Sequence, residues 1–180
     1  MHHVLTPHPA VRSPLVGVEG EIVRSRSGLA LRYAVTGDIA ELTIPELADQ
    51  GRAHELWKHT CFEIFMRTEQ GEGYYEFNFS PTGQWAAYHF AGYRSGRTDI
   101  ADVADPGIGT RSINDRFEIR AAIDLSRLPE LAGPWTVGLS VILEQTDGNK
   151  SFWALRHPPG KPDFHHVDCF ALRLPSAGSA

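Results

Sequence analysis

The sequence predicts an all-β protein, an antiparallel β-sandwich of about nine to ten strands. Three observations predict it. Short runs of period-two alternation recur along the chain, turn residues separate them every ten or so positions, and no stretch carries the 3.6-residue repeat of a long amphipathic helix. The chain has 180 residues. At that length a single domain buries roughly 70 % of its unfolded surface, so neither disulfides nor a structural metal are required.

Residues 1–15 read as an extended lead-in, with Pro7, Pro9 and Pro14 fixing the path and His2, His3 and His8 too few and too plain to form a metal site. The domain proper is expected over 16–175, and 176–180 as a loose tail. Val16 to Arg24 alternates, and Leu29, Leu31, Tyr33 and Val35 share one side of the next strand. Ser25-Arg26-Ser27-Gly28 joins the two as a hairpin. Ile39 to Ile44 reads as a short strand ended by Pro45. Pro45 to His59 reads as a loop with one helical turn, because Gly51 interrupts its helix formers.

From Cys61 to Met66 the side chains alternate: Cys61, Glu63 and Phe65 take one face, Phe62, Ile64 and Met66 the other. After the turn 69–73, Tyr75, Phe77 and Phe79 point one way and Tyr74, Glu76, Asn78 and Ser80 the other. A hairpin then sets Glu63, Glu76 and Asn78 side by side. Ser80-Pro81-Thr82-Gly83 is a turn, and Gln84 to Tyr93 alternates Trp85, Ala87 and His89 against Ala86, Tyr88 and Phe90. Arg94 to Thr110 reads as a long connection, Ile113 to Ile123 as a strand, and 124–129 as a short turn or helical segment capped by Asp124 or Ser126. Trp135 to Glu144 reads as a central strand, with Thr146-Asp147-Gly148-Asn149 turning into Ser151–Arg156. Three prolines and a glycine fix 155–166, and Val167 to Leu174 closes the chain as a last strand.

Composition narrows the function. The net charge of −5 and pI near 6.0 give no basic footprint for nucleic acid. No apolar run approaches the roughly 20 residues that cross a bilayer, and no signal sequence opens the chain, so a soluble, cytoplasmic protein is expected. Cys61 and Cys169 lie in β-like runs, where small buried thiols are common, and are expected to be reduced.

Three stretches resemble a known group. They are Leu56-Trp57-Lys58-His59-Thr60-Cys61-Phe62-Glu63, then Tyr75 to Trp85 (YEFNFSPTGQW), and Trp153-Ala154-Leu155-Arg156-His157-Pro158-Pro159-Gly160 with Pro162-Asp163-Phe164-His165-His166. They resemble bacterial DOMON-like domains of the type 9 carbohydrate-binding-module kind, over about Gly28 to Leu174. The resemblance implies a β-sandwich that binds a sugar or haem without performing chemistry on it. Trp57, Trp85 or Trp153 would supply a stacking face, and Glu63, Glu76, Asn78 and Arg156 hydrogen bonds, with His157 and His165 nearby. That combination suits a saccharide, which offers a C–H face to a ring and hydroxyls to polar groups.

Other readings stay open from sequence. Haem-binding relatives use an early methionine and a late histidine; Met66 with His165 or His166 has that order, though Met66 alternates with core residues, so no cofactor is expected first and haem is the alternative. His157, Asp163, His165, His166 and Asp168 cluster without metal-ligand spacing, and no metal is expected. A protein-interaction module is a third reading. A glycosidase would take Glu63 and Glu76 as its carboxyl pair, but no other catalytic motif is present, so the expectation is a non-catalytic binder of a saccharide or other small polar molecule.

Overall fold

A computed structural model describes residues 1–10, 17–46, 48–69, 71–128, 131 and 133–176. Its strands are β1 (His2–Pro7), β2 (Gly17–Arg24), β3 (Gly28–Thr36), β4 (Gly51–Arg52), β5 (Cys61–Thr68), β6 (Tyr74–Phe79), β7 (Gln84–Phe90), β8 (Thr98–Asp99), β9 (Gly109–Ile113), β10 (Arg116–Asp124), β11 (Trp135–Glu144), β12 (Lys150–Ala154) and β13 (Leu172–Leu174). They form one curled thirteen-stranded sheet in the order β4-β7-β6-β5-β11-β12-β1-β2-β3-β10-β9, with β13 against β11 and β8 against β7. All pairs are antiparallel except β4 with β7.

The sheet curls because β1 serves both of its arms. Its first residues pair with β2, from His2 opposite Glu21 to Leu5 opposite Val18. Its last two turn to β12, with Thr6 opposite Ala154 and Pro7 opposite Trp153. The concave faces of the two arms meet in a first core. The Tyr33 ring of β3 lies tilted at 5.5 Å from Phe62 of β5, whose ring stacks at 6.0 Å on Phe117 of β10. The Tyr33 hydroxyl, buried with its ring, donates to the Glu63 carbonyl at 2.6 Å. Burial of side chains such as Phe62, Ile64 and Phe77, all at 1 % exposure or less, contributes about 1.5–3 kcal/mol each.

A second, smaller core covers the opposite face of β5, β6 and β7, where Cys61, Phe65, Tyr74, Ala86, Tyr88 and Phe90 pack with Ile142 and Phe164. Strands β5 and β6 are therefore buried on both faces. Their register is strongly specified, because a one-residue slip would drive Glu63 and Glu76 into the first core. The segment after β12 crosses this second face and is pinned to β11 at Gly138. A Cβ there would stand 2.9 Å from the Cys169 carbonyl oxygen, so only glycine admits the approach.

Several expectations change. The His2–Pro7 segment of the expected lead-in is a paired strand; 11–15 lie outside the described residues, as do Val16, Leu47, Pro129 and 177–180 of the expected tail. Ile39–Glu41 is a 3-10 turn instead of a strand, and only Leu42 makes a bridge, to Gln145. The helical turn before the central strands is Leu56–Lys58. The final strand is short: His166 Nδ1 accepts Asp168 N–H at 3.2 Å, caps a 3-10 turn over Val167–Cys169, and leaves Leu172–Leu174 to pair. The two-residue β4 and β8 are below the length at which alternation is visible.

Candidate functional site

A cavity of about 480 Å³ opens on the second face of the sheet, between the strands and the crossing segment. Its floor is polar and its walls aromatic. Glu63 of β5 and Glu76 of β6 are only 3 % and 5 % exposed, and both reach the cavity. Register places them: Glu63 stands opposite Asn78 on β6 and Ser140 on β11, while Glu76 stands opposite Tyr88 on β7. Asn78 Nδ2 donates to Glu76 Oε1 at 2.7 Å, and Ser140 Oγ approaches Glu63 Oε2 at 3.4 Å. The Asn78 Oδ1 atom is buried with no hydrogen-bond partner among the described residues.

Burial sets the charge of this floor. It pushes the Glu63 carboxyl well above its ordinary range, and the Glu76 charge adds to the effect. Burial also raises Glu76, to about 7, against the hydrogen bond from Asn78. The floor thus favours the protonated, donating form of Glu63 beside a Glu76 carboxyl that accepts from Asn78.

The rim comes from two loops that hold each other. Asp163 accepts from Arg94 Nη2 at 2.7 Å, from the Tyr93 hydroxyl, and from the His165 N–H at 3.1 Å. Burial opposes ionisation of Asp163, but these hydrogen bonds outweigh it and hold its pKa below the usual value. His165 is pushed down to about 4, by burial first and then by the Arg94 charge. It is therefore neutral, and its 3.9 Å approach to Glu76 Oε2 is no ion pair. The Tyr74 oxygen accepts the Arg94 N–H at 3.2 Å, and its hydroxyl is hydrogen-bonded to His165 Nδ1 at 2.8 Å, which leaves His165 Nε2 facing Glu76.

The walls are Trp57, Tyr88, Phe90, Phe152 and Phe164, with Arg97 over the Tyr88 ring at 4.9 Å. Trp57 stays 46 % exposed at the mouth. The structure brings together four of the site residues expected from sequence, Trp57, Glu63, Glu76 and His165, with Asn78 behind them.

It does not bring in the other four. Trp85 and Trp153 are 3 % exposed in the first core. Their register partners Phe79 and Val141 point to that side, so neither ring can face Glu76. Arg156 is exposed and outside the cavity. His157 donates from Nε2 to the Thr6 carbonyl at 2.8 Å and packs edge-on to His8, tying the crossing segment to β1.

Sequence reasoning missed Tyr88, Phe90 and Phe152 as walls. Alternation already grouped Tyr88 and Phe90 with Ala86, and the hairpin register sets Phe152 opposite Ile142. Arg94 and Arg97 sit in an irregular loop with no periodic signal.

Met66 is fully buried in the first core, on the face of the sheet opposite the cavity. The histidines of the crossing segment turn to hydrogen bonds with Thr6, Tyr74 and Asp168, and no group of metal-ligating side chains occurs among the described residues. Both cysteines are buried free thiols. Burial pushes the Cys61 thiol well up and that of Cys169 to about 12, which disfavours the thiolate form of both.

No protein-family model matches the chain, and no curated protein sequence matches it. Solved structures do. A candidate carbohydrate-binding protein from Bacteroides uniformis superposes with a TM-score of 0.67 at 14% identity, covering 94% of this chain and 83% of that one. A family 9 carbohydrate-binding module from Caldicellulosiruptor kristjanssonii, in complex with cellotriose, gives 0.52 at 13% identity, over 89% and 74% of the two chains. At these identities the likeness is one of architecture, and the chain has a fold like that of family 9 carbohydrate-binding modules.

Proposed function

We propose that this chain is a saccharide-binding domain, of the DOMON-like sandwich kind and bacterial, that performs no chemistry on its ligand. The observation that carries the reading is the cavity itself: aromatic walls around a buried carboxyl, amide and carboxyl on neighbouring strands. Aromatic faces take the C–H side of a pyranose, the Glu63–Glu76 floor takes hydroxyls, and Arg94 and Arg97 reach ring or hydroxyl oxygens from the rim. Fold likeness to carbohydrate-binding structures supports the same reading.

Glu63 and Glu76 lie on one face of one sheet, with Asn78 standing opposite Glu63 and donating to Glu76; the non-catalytic part of the reading is supported by fold likeness to carbohydrate-binding modules. The reading includes no cofactor, no nucleic acid and no membrane as partner. Two reduced, buried thiols support a cytoplasmic setting.

The test is calorimetric titration with mono- and oligosaccharides, followed in parallel by tryptophan fluorescence, since Trp57 stands at the mouth. Glu76→Ala should weaken binding tenfold or more, the loss of a hydrogen bond to a charged group being worth about 1.5–3 kcal/mol. Absence of binding across a broad glycan panel, or a Soret band on haem titration at one equivalent, would overturn the proposal. Turnover of any glycoside would overturn its non-catalytic part.

A further inference from the structure

Away from the cavity, sheltered carboxyls of this fold are given guanidinium partners. Glu118 holds Arg116 at 2.8 Å together with Arg32, and Asp163 holds Arg94 at 2.7 Å. Glu63 and Glu76 are buried deeper than either of these. Yet no lysine or arginine among the described residues stands within ion-pair distance of them, and the one approach to Glu76 is the neutral His165 ring at 3.9 Å. Glu76 gives Oε1 to Asn78, while that distance leaves Oε2 beyond hydrogen-bond reach of His165.

The two carboxyls are diagonal neighbours on one face, since Glu63 stands opposite Asn78, two positions along from Glu76. Such positions are roughly 7–8 Å apart at the backbone, within reach of one another through long side chains. Both open into the same cavity, whose two guanidinium groups are engaged elsewhere: Arg94 with Asp163 and Arg97 over the Tyr88 ring. Two buried carboxylates without a cation are unfavourable. The empty pair relieves this by holding a proton, which is why burial and the Glu76 charge push Glu63 up.

We propose that the saccharide is an amino sugar whose ammonium group sits between Glu63 and Glu76. The inference rests on the saccharide reading of this cavity. An ammonium brings a positive charge and three donors to a pair that lacks a cation. The rings of Tyr88 and Phe90 in the cavity wall favour a cation at close range. As the ammonium seats, the proton held by the pair passes to water, so one positive charge replaces another. A neutral sugar leaves the pair protonated and gains hydroxyl hydrogen bonds alone.

The test titrates the full chain at pH 7 with matched sets of three sugars: a hexosamine, its N-acetyl form and the neutral parent hexose. Sets with the amino group at different ring positions cover its unknown placement. In the best set the amino sugar should bind about tenfold or more tighter than both uncharged members. Glu63→Gln and Glu76→Gln, which keep the shape of the floor, should each bring that ratio toward one. Equal or weaker binding of the amino sugar in every set, read on the unmodified protein, overturns the ammonium seat and leaves the saccharide reading standing. A preference that both variants keep in full places the charge contact elsewhere and overturns it as well. A panel in which no sugar binds overturns both readings.

Discussion

Replacing Glu76 by Gln should stabilise this protein in alkali and leave it nearly unchanged in acid. Burial raises the Glu76 carboxyl from 4.5 to about 7, and the side chain is only 5% exposed, so solvent does little to screen the effect. The sign follows from proton linkage. With the folded pKa raised, the contribution is fully present below about 4.5 and is lost as the pH rises through about 7. At about 1.36 kcal/mol per unit, the loss across that window comes to about 3 kcal/mol. Glutamine keeps an oxygen for the Asn78 Nδ2 proton and has no charge to desolvate, so its stability should be flat where that of Glu76 falls. In a chain of this size 1 kcal/mol moves the melting temperature by roughly 2–4 °C. Between pH 5 and pH 8 about 2.5 kcal/mol of that is lost, so the advantage of Glu76→Gln should grow by roughly 5–10 °C, read by thermal and urea melts at both. Any constant packing defect cancels in that difference. An equal shift at the two pH values would refute the view that this buried carboxyl is charged at the expense of the fold.

Further outcomes follow from the same geometry. Trp57→Ala should weaken saccharide binding about tenfold while moving the melting temperature little, because the indole is half in water; calorimetry and a melt check the two halves. Phe62→Ala should cost about 3–5 kcal/mol in urea unfolding, since its ring joins Tyr33 to Phe117 across the first core. Gly138→Ala should displace the crossing segment, as the new methyl meets the Cys169 carbonyl at 2.9 Å; a fall in ligand affinity, with raised hydrogen exchange at 163–170, checks it. Cys61 and Cys169 should resist a thiol reagent in the folded protein and react at two equivalents in urea.

The polar floor was legible in the sequence because it depends only on alternation and one tight hairpin. Glu63, Glu76 and Asn78 fall on one face whatever the rest of the chain does. Trp85 and Trp153 fall in the opposite core; there a side was chosen by chemistry against pattern. Trp85 alternates with Ala86 and Tyr88, and its register with Phe79 sends it to the opposite core. Arg94 and His165 owe their positions to Asp163, a contact between loops about seventy positions apart, which no local period can encode. The bridging role of β1 was hidden for a related reason: Pro7 and Pro9 mark an irregular path, yet Pro7 needs no donor where it meets Trp153 at the edge of the ladder.

That bridging strand also orders events in time. Thr6 waits for Ala154, a partner 148 residues later, so the two arms stay unzipped until β12 has been made. Closure should be slow, in the millisecond-to-second regime of nonlocal β topologies. During that interval the greasy side of β5 and β6 is open to chaperones and to its own copies. A permuted chain that begins at β11 and carries β12 directly into β1 should close sooner and aggregate less during refolding.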